Sequence, residues 1–244
     1  MSVATHPRLA PRRGGGAGTW WSKAVLRAVE EAAFSQQDLR RGRSMARAGD
    51  VGSITVSDGG AVAAVTDGHD AFTVEVTVPV LDETDAAAFI ELVATESGRI
   101  GALLSGQLPH AFVEAVEEAG VELLPYGGEL GSACTCEAWL DPCPHALAVL
   151  TQLAWLIQAD PFVLTHLRGL SRDRVLRDLH ELTTRHASSG RVGRESPGDS
   201  TPSVASYDDH AGDDPDDLAV AQDAAERAQQ VVEEILAGGS PDNF

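Results

Sequence analysis

Residues 134–158 read CTCEAWLDPCPHALAVLTQLAWLIQ, a stretch that joins a dense Cys/His group to a strongly apolar segment. The group contains all three cysteines of the 244-residue chain and one histidine, namely Cys134, Cys136, Cys143 and His145. An odd number of clustered cysteines argues against a disulfide framework and indicates a metal site. The apolar run after the histidine predicts a buried helix over about 144–158.

The spacing Cys-x-Cys, six residues, Cys-x-His suits a tetrahedral Zn²⁺ ion, which three thiolates and one imidazole satisfy with no vacant position. In an extended segment, Cys134 and Cys136 point to the same face and can reach one ion. Pro144 suits the first helical position, which would place Cys143 at the N-cap and His145 in the first turn. The helix N-terminus favours the thiolate form of a cysteine at the N-cap. The sequence therefore predicts a structural ββα zinc knuckle.

Other interpretations of the same stretch remain open. The cysteines could be small buried hydrophobes, and Glu137 or Asp141 could replace one ligand, although neither has the regular spacing. A zinc hydrolase would need three protein ligands and an open position for water. A redox pair of Cys134 and Cys136 is imaginable, but the two further ligands nearby favour metal. We therefore expect zinc binding and no enzymatic activity.

The motif and its apolar helix resemble the SWIM zinc finger, named for SWI2/SNF2 ATPases and MuDR-type transposases. The flanks are similar to actinobacterial SWIM-domain proteins in three places: Trp20-Trp21, RRGRSMARAG (40–49) and DPFVLTHLRGLSRDRVL (160–176). The resemblance implies zinc binding and contacts to DNA or protein, and bacterial members are associated with SNF2-type helicases. The sequence has no GxxxxGK[ST] motif, so we do not expect it to be such an ATPase itself.

Outward from the motif, the hydrophobic patterns predict an α+β fold. Period-two alternation at about 51–57, 61–66 and 71–78, broken by DGG and DGHD, predicts a small antiparallel β meander. Helical spacing runs from Trp20 to about Ala48. Further helices are predicted at about 82–95, 109–119, 161–169 and 172–186, and short strands at 121–125 and 129–136.

Composition divides the chain into four predicted segments. These are a disordered basic arm (1–19), an α+β domain (20–125), the zinc finger with a helical segment (126–186), and an acidic low-complexity tail (187–244). Within the tail, 216–236 could form one amphipathic helix.

The net charge of −19 is unevenly distributed, since residues 1–49 carry +6 and residues 195–244 carry −12. Most of the chain would therefore repel a nucleic-acid duplex. The densest basic cluster is Arg40, Arg41, Arg43 and Arg47, which forms either a solvated helix face or a phosphate-contacting stripe. Trp139, in the zinc loop, either folds onto the knuckle or contacts a partner.

These observations predict a zinc-binding interaction module, an accessory to an SNF2-type helicase or other DNA-transaction machinery. The alternative is a direct DNA-binding zinc finger, and an enzyme is the least favoured reading. We expect a protein partner, at most weak contact with nucleic acid, and no membrane. With no secretory signal and no apolar run of 18 residues, the sequence predicts a cytoplasmic or nucleoid-associated location.

Overall fold

A five-stranded antiparallel sheet forms around the alternating segment. The computed structural model describes residues 2–13 and 18–189. The strands follow one another across the sheet in sequence order: β1 (Val3–His6), β2 (Val51–Ser57), β3 (Gly60–Asp67), β4 (Asp70–Thr77) and β5 (Gly131–Cys134). Strands β2 to β4 confirm the predicted meander. The period of two places their apolar residues on one buried face, including Ile54, Val56, Ala63, Val65, Val74 and Val76.

Strand β1 lies within the segment 1–19, for which the sequence predicts disorder. Val3 pairs opposite Ser57 and His6 opposite Ile54, so this short segment adds an edge strand beside β2. The prolines, glycines and arginines that favour disorder follow His6, whereas the preceding VATH can offer its backbone to the edge of β2. The expectation of disorder therefore does not hold for this strand.

The short strand predicted at 121–125 does not form. Val121 and Leu123 are fully buried, yet the segment belongs to no sheet. Alternating apolar residues indicate that a segment is buried, whereas a strand also needs a neighbouring strand whose backbone N–H and C=O groups are free to pair with it. The available edge of β4 is taken by β5, which is the part of the predicted strand 129–136 that joins the sheet.

Helices account for most of the rest of the described residues. They are α1 (Trp20–Ala32), α2 (Gln36–Ala48), α3 (Glu83–Thr95), α4 (Ser97–Leu104), α5 (His110–Glu118), α6 (Pro144–Ala159), α7 (Phe162–Leu167) and α8 (Arg172–Ser189). Helix α4 was not predicted, and α8 continues beyond the predicted end at residue 186. With the sheet, these helices confirm the α+β class.

The single helix predicted from Trp20 to about Ala48 is two helices, α1 and α2. Ser35 has an extended backbone conformation, and its hydroxyl accepts a hydrogen bond from the Asp38 amide at 3.3 Å. This is the geometry of a helix N-cap, which satisfies an amide that the new helix leaves without a partner. At the other end, Gly49 closes α2 in the left-handed conformation (φ 80°), which glycine adopts without strain.

Helix α6 lies at the centre of the core. Every side chain from His145 to Ile157 is buried, because the helix packs against α1, α2, α7 and strands β2 to β5. A helix that is apolar on all sides needs such enclosure. Two long-range hydrogen bonds fix its position: Gln152 Nε2 donates to the Ala46 carbonyl at 2.9 Å, and Trp21 Nε1 donates to the Ile157 carbonyl at 3.1 Å.

The described residues, 2–13 and 18–189, belong to one compact unit. Within it, α6, from the predicted segment 126–186, packs on elements of the predicted domain 20–125. The predicted tail lies outside the described residues except for the last turn of α8, and the predicted helix 216–236 lies wholly outside them. No helix in the described part of the chain combines the length and apolarity needed to cross a membrane.

Candidate metal centre

The sheet positions the first two cysteines. Cys134, the last residue of β5, is paired with Val74 of β4. The pairing extends one residue further, because the Thr135 amide donates to the Thr73 carbonyl and the Thr73 amide donates to Thr135 Oγ1, both at 3.0 Å. These two bonds continue the contact with β4 one residue past the end of β5, and the chain bends at Thr135 and Cys136. Cys134 and Cys136 nevertheless bring their sulfurs to the same side, since the two Sγ atoms lie within 4.8 Å of each other.

The start of α6 positions the other two donors. Cys143 is the N-cap, and its Sγ accepts a hydrogen bond from the Ala146 amide at 3.5 Å. Pro144 occupies the first helical position and His145 follows in the first turn, as the spacing predicted. The positive end of the helix dipole therefore lies against a sulfur that must lose its proton to bind a metal.

The four donor atoms, three Sγ atoms and the Nδ1 of His145, lie within 4.8 Å of one another. His145 Nδ1 is 3.7 Å from Cys134 Sγ and 3.9 Å from Cys143 Sγ. Tetrahedral Zn²⁺, with Zn–S bonds of about 2.3 Å and Zn–N bonds of about 2.0–2.1 Å, separates its donors by roughly 3.5–3.8 Å. The donor set and its spacing fit Zn²⁺. Among the described residues, no other group of three or more His, Cys, Asp or Glu side chains brings its ligand atoms close enough together to hold a metal ion.

Three neighbouring thiols cannot all ionise with equal ease. Burial raises the pKa of Cys134 to about 12 and also raises the pKa of Cys143. Burial acts in the same direction on Cys136, but hydrogen bonds from His145 and from the Ala138 backbone outweigh it and lower the pKa to about 7. Zinc binding must therefore displace protons from at least two thiols, and the bound ion supplies the positive charge that replaces them.

The loop between the two pairs of donors, residues 137–141, is here called the zinc-loop tip. Trp139 is completely exposed and Leu140 is 48% exposed, so the tryptophan does not fold onto the knuckle. Asp141 accepts a hydrogen bond from the Ser132 hydroxyl, and neither Asp141 nor Glu137 belongs to the donor group.

The predicted basic cluster lies on α2, and the structure separates its members. Arg41 forms an ion pair with Asp67, and Arg43 forms one with Glu30 of α1. Arg40 and Arg47 are exposed, and no carboxylate of the described residues lies within ion-pair distance of them. The cluster is therefore not a continuous stripe of unpaired cations.

Two residues beside the metal centre were missed by sequence reasoning. Asp67 Oδ2 lies 3.2 Å from His145 Nε2, and the Phe72 ring stacks on the imidazole with centroids 4.4 Å apart. Hydrogen bonding from His145, reinforced by Arg41, lowers the pKa of Asp67. Asp67 is the first residue of the DGHD turn (67–70), where the turn alone accounts for an aspartate, and Phe72 follows in β4, so no local signal marks either residue.

Comparison with known proteins agrees with this geometry. Residues 118–154 match the SWIM zinc finger family. The chain is also similar to uncharacterized protein Rv2102 of Mycobacterium tuberculosis (strain ATCC 25618 / H37Rv), at 32% identity over 170 residues. That alignment covers 68% of this chain and 61% of the relative. No solved structure matches. The segment that contains all four donors is thus similar to SWIM zinc fingers, and its Cys/His group is a Zn²⁺ site.

Proposed function

We propose that this chain is a zinc-stabilised protein-interaction module without catalytic activity. The observation that carries the proposal is a fully exposed tryptophan held beside a complete set of zinc donors. Three thiolates and one imidazole fill a tetrahedron, so no position is left for a metal-bound water. Zinc bound in this way supplies rigidity, and the surface that it holds in place is the zinc-loop tip.

The composition of the tip favours a protein partner. Trp139 is 100% exposed, and tryptophan is among the residues that most often dominate the free energy of protein–protein binding. Glu137 and Asp141 flank it, and their charges would oppose a phosphate backbone. The same charges complement a partner whose lysines or arginines surround an apolar pocket.

The resemblance of the motif and its flanks to SWIM-domain proteins supports an SNF2-type helicase as the first partner to test. In this proposal the chain is an accessory to such a helicase, or to related DNA-transaction machinery, in the cytoplasm or at the nucleoid. The second candidate function is direct DNA binding, which the exposed Arg40 and Arg47 favour.

The test is a titration of the purified SNF2-type helicase of the same host with zinc-loaded protein. Trp139→Ala should weaken binding at least tenfold, which corresponds to about 1.4 kcal/mol, because a central tryptophan anchor is lost. The unfolding temperature of the Trp139→Ala variant should stay unchanged, since the Trp139 side chain makes no buried contact.

Phe34→Ala is the matched control, because Phe34 is also a largely exposed aromatic residue, at 74%, in the link between α1 and α2. It should bind as the unmodified chain does. Chelation of zinc should weaken binding of both the unmodified chain and this control. Unchanged helicase binding by Trp139→Ala, or by the chelated protein, would contradict the proposed role of the tip.

A further inference from the structure

The imidazole of His145 is held by residues far from the zinc motif in sequence. Its Nε2 lies 3.2 Å from Asp67 Oδ2, across a separation of 78 residues. One face of the ring stacks on Phe72, with an interplanar angle of 23°. Only 8% of the His145 side chain is exposed, so the ring has little freedom to turn. Both contacts come from the β3–β4 hairpin, which reaches the start of α6.

We propose that Asp67 is a positioning residue for the zinc ligand His145, and that Arg41 of α2 is its counter-charge. A neutral imidazole carries one proton, and the nitrogen that lacks it is the metal donor. A carboxylate at Nε2 favours the proton on that nitrogen, which leaves the Nδ1 lone pair directed at the sulfurs of Cys134 and Cys143. Asp67 thereby selects both the tautomer and the ring orientation that zinc requires.

Charge explains the presence of Arg41. Zn²⁺ with three thiolates has a formal net charge of about −1, so a further carboxylate beside the site adds repulsion. The guanidinium of Arg41 pairs with the same Asp67 oxygen that lies nearest His145. Because Asp67 is 32% exposed and Arg41 57%, we expect the arginine to contribute less than the aspartate.

This inference extends the zinc site beyond the segment 118–154 that matches the SWIM family. Zinc affinity would then depend on four separate elements, namely the end of β5, the start of α6, the β3–β4 hairpin and α2. The role proposed for Asp67 does not depend on the identity of any partner, and its test is independent of the function proposed above.

The experiment measures zinc affinity by competition with a chromophoric chelator in the full-length protein. Asp67→Ala should reduce the affinity about 10- to 100-fold, the range typical of lost carboxylate support for a ligating histidine. Asp67→Asn, which keeps a neutral acceptor of similar shape, should recover part of this loss. A residue that only maintained the turn would not show this gradation.

Asp70→Ala is the matched control, since Asp70 is exposed and lies opposite Asp67 in the same hairpin. It should leave zinc affinity unchanged. Arg41→Ala should lower the affinity by a smaller factor than Asp67→Ala, and the exposed neighbour Arg40→Ala should not lower it. Circular dichroism at saturating zinc checks that each variant is folded, and Arg41→Ala provides an independent arm if Asp67→Ala misfolds.

Zinc affinities within about twofold of the unmodified chain for both Asp67→Ala and Arg41→Ala would overturn the proposal. An equal loss in Asp67→Ala and Asp70→Ala would also overturn it, because the effect would then belong to the turn and not to the contact with His145.

Discussion

The four donor side chains depend on different local supports. Cys143 lies at a helix N-terminus and accepts the Ala146 amide, whereas Cys134 and Cys136 depend on the sheet edge for their direction. His145 is restrained by Asp67 and stacks on Phe72, outside the motif. Removing any one donor leaves three ligands, so the loss of a single cysteine should weaken zinc binding strongly.

At the residue scale we therefore predict that Cys136→Ser loses most of its zinc. A serine hydroxyl stays protonated near neutral pH and is a poor zinc ligand compared with a thiolate. Elemental analysis of the purified protein should give one zinc per chain before the change and a small fraction afterwards. Glu137→Gln is the control, since its neighbouring carboxylate lies outside the donor group, and it should retain full zinc. Full zinc in Cys136→Ser would remove this cysteine from the site.

At the element scale, the contact between α2 and α6 brings the basic helix to the metal centre. Gly42 makes this approach possible, because a Cβ at its position would lie 2.7 Å from Leu147 Cβ and 2.7 Å from the Pro144 carbonyl oxygen. Neither atom belongs to the far end of a flexible side chain. The preceding residue, Arg41, is thereby placed beside Asp67. The absence of one side chain thus lets α2 pack closely against the start of α6.

We predict that Gly42→Ala destabilises the fold by about 1–3 kcal/mol, although alanine is the better helix former, because overpacking at a buried contact outweighs propensity. Gly101→Ala is the matched control. It also lies within a helix, but a Cβ there would meet nothing within 4 Å. This control should stabilise the fold by about 0.5–1 kcal/mol. Denaturant unfolding with zinc present measures both changes, and a stabilising Gly42→Ala would show that α2 can move away from α6 at little cost.

At the scale of the whole molecule, charge argues against strong binding to nucleic acid. The chain has a net charge of −19, and two arginines of the α2 cluster are engaged by Asp67 and Glu30. Arg40 and Arg47 remain for phosphate contacts. Two such contacts correspond to a slope of about −1.8 in a plot of log affinity against log salt concentration. A slope this small means that the affinity for DNA depends only weakly on salt, because few phosphates are contacted.

We therefore predict weak DNA binding by the full-length protein at low salt and its loss at moderate salt. Removal of residues 195–244, which carry a net charge of −12, should strengthen the low-salt binding by reducing electrostatic repulsion. Arg40→Ala with Arg47→Ala should flatten the salt dependence, while Arg43→Ala, whose side chain is already paired with Glu30, should change it less. Fluorescence titration with labelled duplex tests all three statements. Tight binding that persists at moderate salt would favour the DNA-binding alternative.

Local features of the sequence were sufficient to predict the zinc motif and much of the secondary structure. Cys134 and Cys136 are separated by one residue and reach the same site, and Cys143 caps α6 because Pro144 suits the first helical turn. The meander followed from the period of its apolar residues. Each of these properties depends on residues within a few positions of one another, so the amino-acid sequence is enough to predict them.

Tertiary structure alone decided which distant residues support the zinc site and which surface the knuckle presents. Asp67 contacts His145 because the β3–β4 hairpin packs near the start of α6. No sequence pattern within either segment predicts this contact. The segment 121–125 has the apolar residues of a strand, but it pairs with no strand of the sheet, and the edge of β4 is occupied by β5. Likewise, the exposure of Trp139 depends on what surrounds it in space. Such contacts are set by the packing of elements far apart in sequence, and only the folded chain shows them.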